Sequence, residues 1–367
     1  MNILYITNHL NIGGITSYVL TLSKGMKRKG HNVYIASSGG ELLSRFIAEG
    51  IIYIPIPIRT KQEVSLKILS SAMKLSRLIK QHNIGLLHSN SRTTQVLGCL
   101  LERRALPRHV STCHGFFKKR FFRKLFPCWG RKVIAISASV KEHLIKDFKV
   151  DEKNIAVIYN GIDIHKRNTQ YALRITEAKK KLGLGDGPVV GIVARLSDVK
   201  GHIYLIQAMK QVLKNIPDAQ LLIVGDGNLR QKLANLTARL EMEKNVFFKP
   251  SVLDTQEVLS IMDLFVMPSL KEGLGLALME AMAGGLAVIG SDIGGIRSLI
   301  NDGANGLLVR PADVAGLTWA ILELLQNPDR ANSLGEAAQK FINENFSQEK
   351  MIRETEEVYL ECVAAKE

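Results

Sequence analysis

Short apolar runs alternate with longer amphipathic runs along most of the chain. The runs NILYIT (2–7), HNVYIAS (31–37) and IGLLHSN (84–90) are largely apolar and lead into polar residues, which is typical of strands. Between the first two, SYVLTLSKGMKRKG (17–30) carries apolar side chains at helical spacing and ends at a glycine, as helices often do. Strands that alternate with helices predict a doubly wound parallel sheet.

The pattern begins again near residue 186, which predicts a second domain of the same kind. In the first half, further strands are predicted over 51–56, 108–115, 132–137 and 154–161. In the second half, strands are predicted over 185–195, 219–227, 245–250, 263–269 and 286–292. We predict an α/β protein of two facing Rossmann-like doubly wound domains. The ligand site is expected in the cleft between them, at the carboxyl ends of the strands.

Length and composition suggest where the domains divide. At 367 residues the chain is too long for a single core of ordinary size. Residues 166–184 are polar and basic, as expected of a linker followed by a surface helix. We predict an N-terminal domain over 1–168, a C-terminal domain over 169–345, and a final helix over 346–367 that packs back on the N-terminal domain.

The overall composition, 46% hydrophobic and 23% charged, is that of an ordinary globular protein. The four cysteines are scattered, with no C-x-x-C and no ligand-like spacing to histidines. We therefore expect reduced thiols in a cytoplasmic protein. No run approaches the ~20 apolar residues of a membrane span, and the chain opens on a predicted strand rather than on a basic leader.

The positive charge is concentrated in the first half. Residues 1–165 contain 26 Lys and Arg against 9 Asp and Glu, whereas residues 166–367 contain 23 against 25. This asymmetry predicts that the first half faces a polyanionic surface while the second half has a different task.

Two strand exits offer groups that suit phosphate. In NIGGIT (11–16), Gly13 and Gly14 separate a strand from a helix, where backbone amides and the helix start favour an anion. In ARLSDVKG (194–201), Arg195 and Lys200 stand five residues apart across a turn and could clamp a diphosphate. The alternatives are a purely structural glycine turn and two solvated surface cations.

The stretch EGLGLALME (272–280) places glutamates at both ends of an uncharged run. In a continuous helix the two carboxylates would lie ~12 Å apart along the axis, beyond the ~5–9.5 Å of a glycosidase acid–base pair. The glycines at 273 and 275 predict a loop that becomes helix near Leu276, with the amides of 273–276 directed at a ligand. Alternatively, Glu272 caps the helix and Glu280 pairs with a lysine.

Several motifs occur in a characteristic order along the chain. They are ARLSDVKG, VIYNGID (157–163), LLIVGDGNLR (221–230), DGANGLLV (302–309) and an E-G-x6-E run followed by AMAGG and VIGSDIGG. Together these motifs resemble the signature of retaining GT-B glycosyltransferases of family 4, over nearly the whole chain. The chain departs from the family at Leu286, where proline is usual, and at Ser298, where an acidic residue is common.

The resemblance implies a role for each matching residue. The donor sugar's hydroxyls would be bound by Glu272 and by the amides of Gly273, Leu274, Gly275 and Leu276. The ribose hydroxyls would be bound by Glu280. Arg195 and Lys200 would hold the diphosphate, and the loop with Gly13 and Gly14 would close over it. His114, in CHGF (113–116), would reach the donor sugar, although a lone histidine is often structural. Asn160 and Gly225, within the matching motifs, are also assigned to donor binding.

The implied function is transfer of a hexose from a nucleotide-diphosphate sugar to a lipid-linked or polysaccharide acceptor in cell-envelope glycan synthesis. The chain contains no D-x-D motif, so we expect no metal and no cofactor, with cations and amides stabilising the leaving diphosphate. Two other classes stay open: a non-hydrolysing nucleotide-sugar epimerase and a non-catalytic glycan- or membrane-binding module.

Residues 116–132 contain seven cations, six aromatic residues and no acid. Such interleaving suits a segment that lies on anionic lipid. A structural segment with a solvated face is one alternative, and single-stranded nucleic acid is another. The nucleotide-sugar motifs favour a membrane or a lipid-linked acceptor over nucleic acid. We therefore predict a peripheral protein on the inner face of the cytoplasmic membrane, with no nucleic-acid partner.

Overall fold

The computed structural model describes the chain except residues 59, 61–64, 106, 119–122, 124–125, 164–171, 253 and 365–367, and except the side chains of 105 and 172–175. The chain divides into two compact units. Unit 1 contains residues 1–161 together with the last segment, 348–367, and unit 2 contains residues 162–347. The predicted boundary at 168/169 lies outside the described residues.

Unit 1 is built on a seven-stranded sheet in the order β3-β2-β1-β4-β5-β6-β7, and every strand pair is parallel. Its strands are β1 (Asn2–Ile6), β2 (Asn32–Ser37), β3 (Ile52–Pro55), β4 (Leu86–Ser89), β5 (Arg108–Cys113), β6 (Lys132–Ala135) and β7 (Ile155–Val157). Its helices are α1 (Gly14–Arg28), α2 (Leu43–Ala48), α3 (Leu66–Gln81), α4 (Arg92–Ala105), α5 (Ala138–Phe148) and α14 (Gln348–Ala364).

Unit 2 is built on a six-stranded parallel sheet in the order β10-β9-β8-β11-β12-β13. Its strands are β8 (Val189–Val193), β9 (Gln220–Val224), β10 (Val246–Lys249), β11 (Leu264–Met267), β12 (Ala287–Ser291) and β13 (Leu307–Val309). Its helices are α6 (Ala172–Lys181), α7 (His202–Val212), α8 (Arg230–Arg239), α9 (Thr255–Leu259), α10 (Leu276–Ala283), α11 (Gly294–Arg297), α12 (Val314–Gln326) and α13 (Pro328–Asn345).

The central strands of both sheets are buried on both faces, which explains their nearly continuous apolar sequences. The prediction of two Rossmann-like doubly wound domains is confirmed. In unit 1, helix α14 packs on α1 because Gly25 provides the space: a Cβ there would lie 2.2 Å from Ile352 Cδ1. The chain thus returns to unit 1 for its last helix.

The sheet orders reverse direction between β1 and β4 in unit 1 and between β8 and β11 in unit 2. Loops that leave parallel strands next to such a reversal form the ligand-binding edge of doubly wound sheets. The residues that follow β1 and β4, and those that follow β8 and β11, therefore lie at this edge, and the residues that follow β5 and β9 lie next to them.

Candidate active site

In unit 2, the loop that follows β8 and the loop that follows β9 are in close contact. The Leu196 amide donates to the Asp226 carbonyl at 2.9 Å. A Cβ on Gly225 would lie 2.1 Å from the Ala194 carbonyl oxygen, so only glycine lets the two loops approach. Gly225, assigned to donor binding, therefore has a clear structural task, and its contact with a donor stays a prediction.

The next turn brings a lysine to the exit of β11. A 3-10 turn over Asp198–Lys200 leads into Gly201, whose backbone is left-handed (φ +73°) and whose Cβ would lie 1.9 Å from the Pro268 carbonyl oxygen. The Leu270 amide donates to the Val199 carbonyl at 2.8 Å. The two loops are thereby fixed side by side.

Lys200 and Glu272 form an ion pair between these two loops. Both side chains are largely buried, and Ser269 Oγ lies 3.5 Å from the same carboxylate oxygen. Arg195, in contrast, is exposed and forms no ion pair with a carboxylate of the described residues. The structure therefore joins Lys200 directly to the predicted sugar-binding glutamate and leaves Arg195 on the surface of the same loop.

Helix α10 begins at Leu276, as expected from the glycines before it. Its N-cap is Gly275, in the left-handed region (φ 99°, ψ 72°), and no side chain caps the helix. Glu272 is therefore not a helix cap. The first bond of the helix runs from the Met279 amide to the Gly275 carbonyl at 3.0 Å, so the amides of residues 276–278 precede its hydrogen-bonded part.

The segment before α10 is held from behind by another glycine. A Cβ on Gly295 would lie 2.5 Å from both the Glu272 carbonyl oxygen and the carbonyl carbon of Gly273. The Leu274 side chain is buried in the core, so only its backbone could serve a ligand. The predicted donor-binding amides thus belong to a rigid loop.

Glu280 lies inside α10 and accepts a hydrogen bond from Thr255 Oγ1 at 2.9 Å. The partner of Glu280 is thus a hydroxyl group, whereas the alternative interpretation of the sequence expected a lysine. Burial raises the pKa of Glu280 to about 7; the Thr255 hydrogen bond lowers it and the nearby Asp254 carboxylate raises it further. The carboxyl group therefore titrates near neutrality and can accept hydroxyl hydrogen bonds fully only above that pH.

In unit 1 the glycine loop follows β1. Gly13 is the N-cap of α1, and both Gly13 and Gly14 are exposed. The loop is tied to the exit of β2, because the Glu41 carboxylate accepts from the Ile12 amide at 3.1 Å and the Leu10 amide donates to the Gly39 carbonyl at 2.8 Å. Glu41 was not singled out from the sequence.

His114 follows β5 and is held from two sides. Its Nε2 lies 3.1 Å from Asn90 Oδ1, and its ring meets the Tyr18 ring edge-on, with centroids 4.8 Å apart at 77°. Protein packed around the ring lowers the pKa of His114 to about 3, so the imidazole is neutral. Since the amide oxygen accepts from Nε2–H, Nδ1 is the acceptor nitrogen that can face a hydroxyl group.

Asn160, just after β7, is buried, and its Oδ1 has no hydrogen-bond partner among the described residues. A buried amide oxygen without a partner is costly, a cost that Asn160 shares with several other buried polar side chains among the described residues. Its assignment to donor binding stays a prediction.

Both halves of the chain match known families. Residues 12–166 match the family model described as Glycosyltransferase Family 4, and residues 174–341 match the one described as Glycosyl transferases group 1. The chain belongs to the family 4 glycosyltransferases. The predictions of the family and of a glycosyltransferase enzyme are confirmed.

Characterised relatives span almost the whole length of this glycosyltransferase. It is 29% identical over 341 residues to an Escherichia coli UDP-Gal:alpha-D-GlcNAc-diphosphoundecaprenol alpha-1,3-galactosyltransferase, covering 88% of this chain and 87% of the relative. It is 25% identical over 372 residues to N-acetyl-alpha-D-glucosaminyl L-malate synthase of Bacillus anthracis, covering 98% and 96%. The names of these two relatives specify different reactions, so similarity alone selects neither.

Solved structures share the fold. Anabaena HepE in complex with UDP-glucose superposes with a TM-score of 0.87 at 22% identity, over 98% of this chain and 100% of the other. A glycosyltransferase from Rickettsia africae superposes with a TM-score of 0.86 at 24% identity, over 100% and 99%. At this identity the likeness establishes the GT-B fold of the enzyme.

The basic aromatic segment of the enzyme, 116–132, is the crossover from the carboxyl end of β5 to the amino end of β6. Of its aromatic residues, Trp129 is buried against Phe148, with ring centroids 5.6 Å apart, whereas Phe116 and Phe126 are 40% and 58% exposed. Arg123 stacks on the Phe117 ring at 5.3 Å. Residues 119–122 and 124–125 lie outside the described residues. Of the remaining residues, Trp129 belongs to the packed core, whereas Phe116, Phe126 and Lys118 are exposed.

The four cysteines of the transferase are all free. Cys99 and Cys128 line a cavity of about 550 Å³ at the amino end of β6, between the end of α4 and the end of α5. This cavity lies at the sheet edge opposite to His114 and is separate from the candidate active site.

No helix among the described residues of the enzyme is long and apolar enough to cross a membrane. Within the same residues, no group of three or more His, Cys, Asp and Glu side chains is arranged to hold a metal ion. Independence from metals stays a prediction, since it concerns the reaction.

Proposed function

We propose that this enzyme is a retaining hexosyltransferase that moves a hexose from a nucleotide-diphosphate sugar to a lipid-linked or polysaccharide acceptor in cell-envelope glycan synthesis. The observation that carries the proposal is the Lys200–Glu272 pair at the strand exits of unit 2. It places a cation suited to a diphosphate beside a carboxylate suited to sugar hydroxyls. The Escherichia coli relative, whose name specifies a diphosphoundecaprenol acceptor, supports a lipid-linked acceptor.

Each group has a stated task in the proposed reaction. Lys200 and Arg195 stabilise the charge that develops on the leaving diphosphate, while Glu272 and the amides that open α10 hold the donor sugar. Glu280 holds the ribose hydroxyls. The acceptor oxygen forms its bond to the anomeric carbon on the face from which the phosphate oxygen leaves, and that phosphate oxygen takes the acceptor's proton. His114 Nδ1 accepts a hydroxyl hydrogen bond from the donor sugar.

The test is a binding screen followed by a transfer assay. UDP-, GDP- and ADP-sugars are added separately, and the melting temperature is measured, because a ligand of the folded state alone raises it. We expect one nucleotide class to raise it and the matching sugar to be transferred to a lipid-diphosphate-linked sugar. The absence of a shift with every nucleotide sugar would contradict the proposal.

Membrane contact belongs to the same proposal and is supported by two elements of unit 1. The crossover exposes Phe116 and Phe126 beside Lys118 and Arg123. In α3, the exposed Leu66, Leu69 and Met73 recur at helical spacing with exposures of 83%, 43% and 59%.

The positive charge of α3 also suits contact with an anionic membrane. The helix carries four cations and no acid, and an apolar stripe flanked by cations is the composition that binds anionic bilayers. Because α3 runs antiparallel to the strands, its first turns lie at the carboxyl edge of the sheet, on the side of His114. A membrane against this surface would deliver a lipid-linked acceptor to that edge.

A further inference from the structure

A buried chain of hydrogen bonds crosses unit 1 from its last helix to α1. The Tyr18 hydroxyl lies 3.2 Å from Thr112 Oγ1, which lies 2.7 Å from His88 Nε2. His88 Nδ1 bonds to the hydroxyl of Tyr359, 271 residues away in sequence, and that hydroxyl donates to Tyr5 at 3.1 Å. All five side chains are buried, so the chain is shielded from water over its whole length.

The partners fix the direction of every bond in this chain. Because the Tyr359 hydroxyl donates to Tyr5, its oxygen accepts from His88, and the proton of that imidazole resides on Nδ1. Burial lowers the pKa of His88 well below its usual value, so the ring is neutral and Nε2 accepts. Thr112 therefore donates to His88, and Tyr18 donates to Thr112. One tautomer of His88 satisfies the whole chain.

The hydrogen-bond chain ends at Tyr18, whose ring packs against His114, the predicted catalytic histidine. Tyr18 is held at its hydroxyl by Thr112, and the ring of Tyr18 contacts His114 edge-on. Asn90 Oδ1 accepts a hydrogen bond from His114 Nε2–H. Loss of the Thr112 hydrogen bond would remove a partner that holds the Tyr18 hydroxyl and allow the Tyr18 ring to shift. His114 would then lose this edge-on contact while it keeps its bond to Asn90.

We propose that Tyr359, on α14, is a positioning residue of the transfer site: through His88, Thr112 and Tyr18 it fixes the orientation in which His114 presents Nδ1 to the donor sugar. The proposal rests on the proposed function, in which His114 contacts the donor. It gives the last helix a task beyond packing. Apolar side chains of the same shape could replace these hydrogen-bonded groups at little loss of stability, whereas a fully satisfied polar chain specifies one arrangement.

The test breaks the chain at two separate links. Tyr359→Phe removes the hydroxyl that accepts from His88, and Thr112→Val removes the hydroxyl that joins His88 to Tyr18 while keeping a β-branched residue in β5. Each variant should lower kcat for transfer about tenfold, because small misplacements of a reacting geometry are costly, and should leave the KM for the nucleotide sugar unchanged. The double variant should be no slower than either single variant, since both break one chain.

Val358→Ala is the matched control for lost stability. Val358 is buried in the same helix and the same core, and it makes no side-chain hydrogen bond. At equal loss of melting temperature it should keep the kcat of the natural protein. Long-range ¹H–¹⁵N spectra of the imidazoles add a signature that packing alone would not move: His88 should be an Nδ1–H tautomer in the natural protein and an Nε2–H tautomer in Tyr359→Phe.

The outcomes separate this inference from the proposed function. If Tyr359→Phe and Thr112→Val lower kcat no more than Val358→Ala does, or if their effects add in full, the positioning role is wrong. If His114→Ala transfers sugar at the natural rate, the role of His114 in the proposed function fails instead. The tautomer of His88 is measured without any substrate and tests the hydrogen-bond chain in either case.

Discussion

The Lys200 ammonium and the Glu272 carboxylate, 72 residues apart in sequence, are paired directly at the strand exits of unit 2. The pair uses one of the three N–H donors of Lys200 and one of the two oxygens of Glu272. Two donors of Lys200 and one oxygen of Glu272 are then left, which the proposed function assigns to diphosphate oxygens and to a sugar hydroxyl. In that function the pair would set the distance between the diphosphate and the sugar.

Replacing Glu272 by Ala should separate transfer from nucleotide binding. We expect kcat to fall about 100-fold, as when one preorganised group of a polar active site is lost, while the Kd for the free nucleoside diphosphate stays within about threefold because Lys200 keeps its charge. Rates come from transfer assays and Kd from calorimetry. The neighbouring exposed Lys271→Ala serves as control, and equal transfer by Glu272→Ala and Lys271→Ala would remove Glu272 from the reaction.

Gly201 and Gly303 are a matched pair of substitution sites that tests the close approach of the loop at Gly201 to the loop at Pro268. Both have φ +73°, but a Cβ on Gly201 would collide with the Pro268 carbonyl oxygen, whereas Gly303 has open space around it. Gly303→Ala should cost about 1 kcal/mol of unfolding free energy, for the left-handed backbone alone. Gly201→Ala should cost about 3 kcal/mol and also reduce transfer, because it displaces Lys200.

Equal losses of stability in the two alanine variants, measured by denaturant unfolding, would show that the approach of the 201 loop to the 268 loop is not tight. A loss of stability in Gly201→Ala with unchanged transfer would show instead that Lys200 keeps its place despite the shifted loop.

Glu280 should make stability fall as pH rises. Burial raises its pKa from 4.5 to about 7, so the folded state binds this proton more tightly than the unfolded state does. The contribution to stability is therefore greatest below pH 4.5, decreases between 4.5 and 7, and is constant above. Glu280→Gln should remove this decrease and gain about 2 kcal/mol at pH 8.

The same substitution should raise the KM for the nucleotide sugar above pH 7, since an amide oxygen accepts hydroxyl hydrogen bonds less strongly than a carboxylate. Denaturant unfolding from pH 4 to 9 and initial rates at pH 8 provide the two measurements. A stability profile that is parallel for both proteins would mean that Glu280 titrates at its ordinary pKa.

If α3 and the crossover bind the membrane, substitutions in them should reduce binding to anionic vesicles. Leu66→Ser, Leu69→Ser and Met73→Ser together should abolish co-sedimentation with vesicles that contain phosphatidylglycerol, because the apolar stripe of α3 is removed. Lys118→Gln with Arg123→Gln should weaken the same binding and make it less sensitive to salt. Trp319→Ser is the control, since Trp319 is 59% exposed on α12 of unit 2. Unchanged sedimentation of the α3 variant would reject this surface.

Much of the fold was predictable because it depends on local patterns. All seven strands of unit 1 lie within predicted runs, and α10 begins where the glycines at 273 and 275 place it. Short elements were missed: β13 has three residues and α11 has four, too few for periodicity to stand out. Several longer helices, α4, α5, α12 and α13 among them, were not singled out either, although their sequences are long enough.

The sequence by itself determined the α/β plan, through the alternation of strands and helices along the chain, and the residues of the motifs that resemble the family. Each motif lies within one short segment. Only the tertiary structure decided which of those residues meet: Lys200 with Glu272, Glu280 with Thr255, and His114 with Asn90 and Tyr18. These pairs join loops or helices that follow different strands, and the order of strands in a sheet sets them. Nothing in the local pattern encodes that order.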